Sequence, residues 1–388
     1  MRILILGGGL MGPAAAYNAM IDPDVLGVTV CDLSGEQLDS CRERLSGKPG
    51  ANKVSYRALD LNDRAAAVSV MSDHDAIVAA LPRAASLLAV PEALEAGTPL
   101  VDLTRIPDDT LAQMKEESVD SEGFIVLGCG LEPGLTEIVA RYLAETMDHA
   151  DELHIKCGGI PKHPAPPLSY KIVFGGRHLP LRDTDSHVVS DGILTTVPRY
   201  SGVESVTFEG VGECQAWHEG FMPWLLELDA LKDISQGTQK TVRWPGYAEK
   251  VTALKEMGML SMEPIEVDGV TVIPKHVLDA VNYEYVKMQP EDRDITTFRV
   301  EVSGVRDGET VHTRADMVDH FDETLGFTSM ARTTAFTAAI VARMIARGDL
   351  KHPGTPFITP EQVISGPLFD RLISDLGSSD ISFQITGV

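Results

Sequence analysis

Residues 2–6, RILIL, form a short apolar run that leads directly into Gly7-Gly8-Gly9-Leu10-Met11-Gly12-Pro13 and then Ala14-Ala15-Ala16. That order predicts a buried strand, a glycine turn and the start of an alanine-rich helix. Gly7, Gly9 and Gly12 fall in the pattern G-x-G-x-x-G, with Leu10 and Met11 inside the turn. Only glycine lets a backbone turn so tightly and come close to a pyrophosphate, and a helix N-terminus offers free N–H groups and the positive end of a dipole. Asp32 closes the next predicted strand 20 residues after Gly12. A carboxylate there accepts hydrogen bonds from the ribose hydroxyls and repels a 2′-phosphate. Cys31 before it and Leu33-Ser34 after it supply no arginine for such a phosphate, so NAD is expected rather than NADP.

The rest of the first third alternates strands and helices, which predicts a doubly wound parallel sheet of the α/β class. Predicted strands follow around Val25–Cys31, Val54–Ala58, Asp75–Leu81, Pro99–Leu103 and Phe124–Leu127. Ser34 is placed to cap the helix that Gly47 stops. After Pro133-Gly134 the pattern changes. Stretches 151–160, 168–175, 203–212 and 297–305 predict a mixed, largely antiparallel sheet in a second, α+β domain. Met330–Arg347 predicts a long helix. The expected division is a dinucleotide-binding domain over 1–130, a substrate and oligomerisation domain over 131–325, and a helix and tail over 326–388 that return to the first domain.

Composition narrows the partners. The chain has 57 acids against 33 Lys and Arg, a net charge of −24. Such a surface repels nucleic acid and anionic membranes, and no basic stripe offsets it. Five cysteines without a CxxC, and histidines in neither HExxH nor HxH, give no expectation of a disulfide framework or a metal. No run approaches the ~20 apolar residues of a membrane span, so a cytoplasmic protein is expected, with a small molecule or another copy of itself as partner.

Further candidates follow from chemistry. Asp60-Leu61 follows the third strand and either caps a helix or lies beside an adenine. Ala80-Leu81-Pro82 ends the fourth strand, where a ligand crossing the sheet's switch point must pass. In the second domain, Arg243 precedes Trp244-Pro245-Gly246, a rigid turn that would aim it inward or lay it over Trp244. A guanidinium there suits a substrate carboxylate. Tyr170 and Lys171 are adjacent on a predicted strand and so face opposite sides; a buried lysine could serve as a base. Glu132, before Pro133-Gly134, either complements a helix dipole or holds an ammonium.

These strings together resemble the saccharopine dehydrogenase-like family. The similar segments are GGGLMG, ALDLND at 58–63, VDLT at 101–104, GCGLEPGLTEIVA at 128–140, KCGGIP at 156–161, PPLSYKIVFGG at 166–176, TVRWPGYAEKV at 241–251 and TSMARTTAFTAAIVARMI at 328–345. Within the family, PPLSYK and the chain length look closest to the lysine 6-dehydrogenase branch, although Tyr247 stands where the pattern has histidine. The resemblance implies that Asp102 and Thr104 lie at the cofactor, that Cys157 forms the substrate-pocket wall and that Glu132 holds the substrate ammonium. It implies oxidative deamination of the terminal amine of a diamino acid, first L-lysine. Hydride would pass from the ε-carbon to NAD, and the imine would hydrolyse to ammonia and a cyclising semialdehyde. Saccharopine reductase and carboxynorspermidine-type dehydrogenases, acting on secondary amines, are the alternatives inside the family; an NAD-binding sensor without turnover is the alternative outside it. The resemblance also implies oligomers, here a homodimer or homotetramer built through the second domain.

Overall fold

Strand β1 (Arg2–Leu6) is buried from Ile3 to Leu6, as suits the centre of a parallel sheet covered on both faces. In the computed structural model, which describes residues 1–117 and 121–388, it is followed by β2 (Gly27–Asp32), β3 (Val54–Ala58), β4 (Ala76–Ala79), β5 (Leu100–Asp102) and β6 (Ile125–Val126). These strands all pair in parallel, in the order β6-β5-β4-β1-β2-β3, with the short strand Phe357–Ile358 outside β6. The chain order reverses at β1, so the switch point lies between β1 and β4, at their carboxyl ends. This is the doubly wound sheet expected.

Helices α1 (Gly12–Met20), α2 (Gly35–Leu45), α3 (Arg64–Ser72), α4 (Arg83–Ala96) and α5 (Asp108–Glu117) alternate with the strands. Ala14, Ala15, Ala16 and Ala19 of α1 are wholly buried, and their small side chains let the helix come close to the sheet. Ser34 does cap α2, accepting the Gln37 N–H at 3.3 Å. Asp63 caps α3 by accepting the Ala66 N–H, which leaves Asp60 free of that task.

The chain forms two compact units. The first comprises Met1–Tyr142, Thr324–Phe327 and Ala331–Ile381; the second comprises Leu143–Glu323, Thr328–Met330 and Ser382–Val388. The change of unit thus falls inside helix α6 (Leu135–Glu145). Within the first unit, Asp22 is paired with Arg343, and with Arg347 at 2.8 Å, on the helix Ser329–Arg347. Burial alone would raise the Asp22 carboxyl, but the two guanidiniums hold it below its ordinary range.

The second unit carries a nine-stranded mixed sheet. Its strands include β7 (His149–Pro161), β8 (Ser186–Ser190), β9 (Ile193–Val197), β10 (Glu204–Phe208), β11 (Gly212–His218) and β12 (Gln236–Arg243). Helix α7 (Tyr247–Glu256), a separate hairpin of β13 (Ile265–Val267) and β14 (Val270–Val272), and helix α8 (Pro274–Val286) come next, before β15 (Asp294–Arg306) and β16 (Glu309–His320) return to the sheet. β7 pairs in parallel with β12 and antiparallel with β15; β10–β11, β11–β12 and β15–β16 are antiparallel.

One expectation fails here. Residues 168–175 form no strand. Prolines at 164, 166, 167 and 180 flank the segment, and Ser169, Gly175 and Gly176 have positive φ, so no extended ladder continues through it. Leu168, Tyr170, Ile172 and Val173 are nonetheless buried, in irregular chain. One face of the sheet carries ion pairs: Lys156–Glu301 at 3.0 Å, Arg299–Asp316 at 2.7 Å and Lys240–Glu204 at 2.7 Å. Among the described residues no helix is long and apolar enough to cross a membrane, no His, Cys, Asp and Glu group could hold a metal, and all five cysteines are buried.

Candidate functional site

The glycine turn is held by its own backbone. The Gly7 N–H donates to the Cys31 carbonyl at 2.7 Å with φ at 101°, and a Cβ on Gly7 would lie 2.4 Å from the Ala80 carbonyl oxygen. A Cβ on Gly12 would lie 1.8 Å from the Gly7 carbonyl oxygen. Both glycines are therefore demanded by the protein itself. Gly9 differs: a Cβ there would meet nothing within 4 Å. Its glycine character has no internal cause, which fits a ligand that must approach the backbone. The first turn of α1 carries no acid of its own, so the helix does not itself offset the positive end of its dipole.

Asp32 is fixed at the end of β2. One carboxylate oxygen accepts the Gly8 N–H at 2.7 Å and the other the Ser34 N–H at 2.8 Å. Each oxygen keeps lone-pair capacity for a further donor. Asp32 lines a cavity of about 310 Å³ at the carboxyl ends of the strands, with Leu33, Leu59, Asp60, Leu61, Asn62, Leu81, Pro82 and Leu88 in its wall. Among the described residues no lysine or arginine lines it. Asp60 accepts the Asn62 N–H and side-chain amide at 2.9 and 2.8 Å, which lowers its carboxyl.

Four expected cofactor residues, Asp60, Leu61, Leu81 and Pro82, thus share this cavity with Asp32, while Ala80 contributes its carbonyl beneath Gly7. Leu10 and Met11 are half-buried in the turn, and Met11 precedes α1 without a side-chain cap. Asp102 and Thr104 are arranged differently. Asp102 is wholly buried and accepts the Ser86 hydroxyl and both the Thr104 N–H, at 2.8 Å, and its hydroxyl, at 3.1 Å. Burial pushes its carboxyl up to about 6. That carboxylate ties β5 to α4 and to the following turn rather than facing solvent. Gly8 and Asn62 went unmarked in the sequence: the first is a variable position of the glycine pattern, the second one polar residue in a loop.

In the second unit, Arg243 ends β12 and is 8 % exposed. Its guanidinium carbon lies 4.6 Å from the centroid of the Tyr170 ring and 6.0 Å from that of Tyr247. Its Nη1 donates to the Val242 carbonyl at 2.8 Å, while its Nε has no partner. Gly158 permits the approach, since a Cβ there would stand 2.8 Å from Nη1. Tyr170 and Tyr247 meet edge to face, and Trp217 stacks on Tyr247 at 5.1 Å. Burial raises the Tyr170 phenol, an effect the Arg243 charge opposes. The phenol oxygen and the Trp217 indole nitrogen are buried without partners.

Tyr170 and Lys171 lie in irregular chain rather than on the expected strand. The Lys171 ammonium reaches the Lys287 carbonyl and Asp292, both at 3.2 Å. Cys157 is buried on β7, between Thr241 of β12 and Phe298 of β15. Glu132 belongs to the first unit, half-buried in a loop that Gly130 and Gly134 close through the Leu135 N–H to Gly130 carbonyl bond at 2.9 Å. Trp217 and Tyr200 carried no sequence signal beyond being aromatic.

Residues 3–123 match the family model described as Saccharopine dehydrogenase NADP binding domain, and residues 130–378 the one described as Saccharopine dehydrogenase C-terminal domain. Carboxyaminopropylagmatine dehydrogenase of Synechocystis sp. is 21% identical over 91% of this chain and 91% of its own length. Carboxynorspermidine synthase of Vibrio alginolyticus is 21% identical over 96% of this chain and 95% of its own. The solved structure of apo saccharopine dehydrogenase (L-Glu forming) from Saccharomyces cerevisiae has the same fold, with a TM-score of 0.80 at 19% identity, covering 100% of this chain and 99% of that one. With both halves of the chain matched and the dinucleotide turn intact at their start, this protein belongs to the saccharopine dehydrogenase family of oxidoreductases.

Proposed function

We propose that this protein is an NAD-dependent dehydrogenase of an amine that carries a carboxylate, with L-lysine, oxidised at its ε-carbon, as the first substrate to test. The observation that carries the reading is Arg243. Among the described residues no carboxylate pairs with this buried guanidinium. An uncompensated buried charge is costly, and a substrate carboxylate would satisfy it bidentately.

The first unit's residues fit the cofactor: open space over Gly9, an α1 N-terminus free of acid, and Asp32 beside a cavity without cations. NAD, when bound, accepts the hydride. Asp32 would take the ribose hydroxyls and disfavour a 2′-phosphate, so NAD is proposed over the NADP of the family model's description. Tyr170 supports the guanidinium from below and, with its phenol raised, stays a donor. Hydride loss needs the neutral amine, so a base must take one proton. Lys171 must leave Asp292 to serve, and Glu132 is the acid proposed to hold the substrate ammonium.

A second reading is oxidation of a secondary amine, favoured by the names of the two relatives that match along nearly their whole length. Reduced-nicotinamide absorbance, with NAD and NADP each tried against lysine, ornithine, saccharopine and carboxynorspermidine, separates them. Turnover of lysine with NAD supports the first reading. Turnover of the secondary amines alone moves the function to the second, and no turnover with any of them sinks both.

A further inference from the structure

Two buried carboxyls of the first unit, Glu137 and Glu361, have no part in the chemistry described above. Glu137 lies in the first turn of α6 and is wholly buried. Its Oε2 accepts the Gly134 N–H at 2.6 Å and the Thr136 hydroxyl at 2.7 Å. The carboxylate thus closes the turn of residues 130–134 from the helix side, where the Gly130 N–H also donates to the Pro133 carbonyl at 2.9 Å. Glu132 is carried on that turn.

Glu361 is 1 % exposed, in the short helix Pro360–Val363 that follows the outer strand Phe357–Ile358. This helix packs against the same side of α6. Arg141, one turn beyond Glu137, donates from Nη1 to the Glu361 carbonyl at 2.7 Å. The Glu361 side chain is served differently from that of Glu137: its Oε1 is buried without a hydrogen-bond partner, so ionisation would place a poorly supported charge in the interior. The groups facing it are Glu137 on α6, Arg105 after β5, Cys129 after β6 and its neighbour Thr359. Burial first, and Glu137 second, push the Glu361 carboxyl up to about 7, against the pull of Thr359, its own N–H and Arg105. Two carboxylates in one buried site repel each other strongly.

We propose that Glu361 is a positioning residue for Glu132: in its neutral form it leaves Glu137 on the Gly134 N–H, and in its ionised form, the proton having passed to solvent, it releases the turn. The turn is the part that yields, because Gly128 and Gly134 bound it with positive φ and glycine moves at low steric cost, whereas α6 is held by its own ladder. The effect on the amine rests on the role proposed above for Glu132; the effect on the turn does not.

Amide exchange of the full chain, without ligand, over about pH 6 to 8 tests this. Once the intrinsic pH dependence of exchange is removed, protection of residues 130–136 should fall by roughly tenfold across that range in the parent. In Glu361→Gln, which cannot ionise, and in Glu137→Gln, which keeps an acceptor without the like charge, it should hold steady. Thermal melting confirms that each variant folds. A merely structural Glu361 would alter protection equally at every pH. With substrate, the ratio of the parent KM for the amine to that of Glu361→Gln should rise over the same range, with the kcat ratio little changed. Protection that stays level in the parent, or falls equally in Glu361→Gln, overturns the proposal. A turn that loosens while the KM ratio stays flat overturns the link to Glu132. Absence of turnover with every amine counts against the function proposed above, and exchange alone then decides the role of Glu361.

Discussion

The guanidinium of Arg243 lies 4.6 Å above the centroid of the Tyr170 ring. The contact joins the end of a regular strand to a stretch with no regular structure at all. β12 fixes the backbone of Arg243, and burial in an aromatic cluster with Tyr247 and Trp217 fixes Tyr170. Gly158 on β7 leaves room for the guanidinium from the sheet side. The cation is thus held on two sides before any ligand arrives, which lowers the ordering cost of binding an acid.

Replacing Arg243 by lysine keeps the charge but loses the planar fork and the stacking. Substrate kcat/KM should fall by roughly ten- to a hundredfold, the cost of about 1.5–3 kcal/mol for a charged hydrogen bond, with the dinucleotide Kd little changed. Tyr170→Phe keeps the stacked ring and should cost far less than Tyr170→Ala. Steady-state kinetics beside dinucleotide titration will show it; an unaltered kcat/KM in Arg243→Lys would remove the clamp.

Asp32 accepts two backbone N–H groups, so its removal has two effects. Asp32→Ala should weaken NAD binding and narrow the preference over NADP, and it should also lower Tm slightly by freeing the Gly8 and Ser34 N–H groups. Asp32→Asn retains one acceptor and should sit between. Fluorescence titration with both dinucleotides is the check, and equal affinity for the two in the unmutated protein would discard the NAD assignment.

The glycines of the turn separate folding from binding. Gly12→Ala places a methyl group 1.8 Å from the Gly7 carbonyl oxygen and should destabilise the protein with no ligand present. Gly9→Ala meets open space, so its melting temperature should match the parent while dinucleotide affinity drops by about an order of magnitude or more. Calorimetry beside binding measurements distinguishes the two; a strongly lowered Tm in Gly9→Ala would contradict the open cradle.

What the sequence revealed depends on how local each requirement is. Gly7, Gly12 and Asp32 were legible because a strand, a turn and a helix within thirty-two residues fix their roles. The 168–175 segment was misjudged because its burial comes from tertiary packing, against Tyr247 and Val251 of α7 and Leu278 of α8, while the positive φ of Ser169 and Gly175 breaks any ladder. Composition cannot show that. The passage between units at Tyr142 went unseen because α6 runs through it without any change of pattern. Asn62 reached the cavity wall only through the turn that Asp60 makes, a detail below the resolution of residue types.

Three buried carboxyls give stability an inverse pH dependence. Burial is the main cause in each. It raises Asp102 to about 6 and Asp294 to about 6 from 3.8, and Glu361 to about 7 from 4.5, the last with Glu137 adding to the effect. Because the folded values lie above the unfolded ones, the folded state binds more protons in that window, and stability falls as pH rises from about 4 through about 7. Asp22, held low by its arginines, works oppositely: its contribution is present above the ordinary carboxyl range and lost in acid. Asp102→Asn isolates one contribution. Its oxygen can still accept from Thr104 and its amide can donate to Ser86, so the contacts survive without the ionisation. Denaturant unfolding between pH 4.5 and 7.5 should give a shallower fall for this variant than for the parent. An identical slope in the two proteins would mean that Asp102 does not titrate in that window.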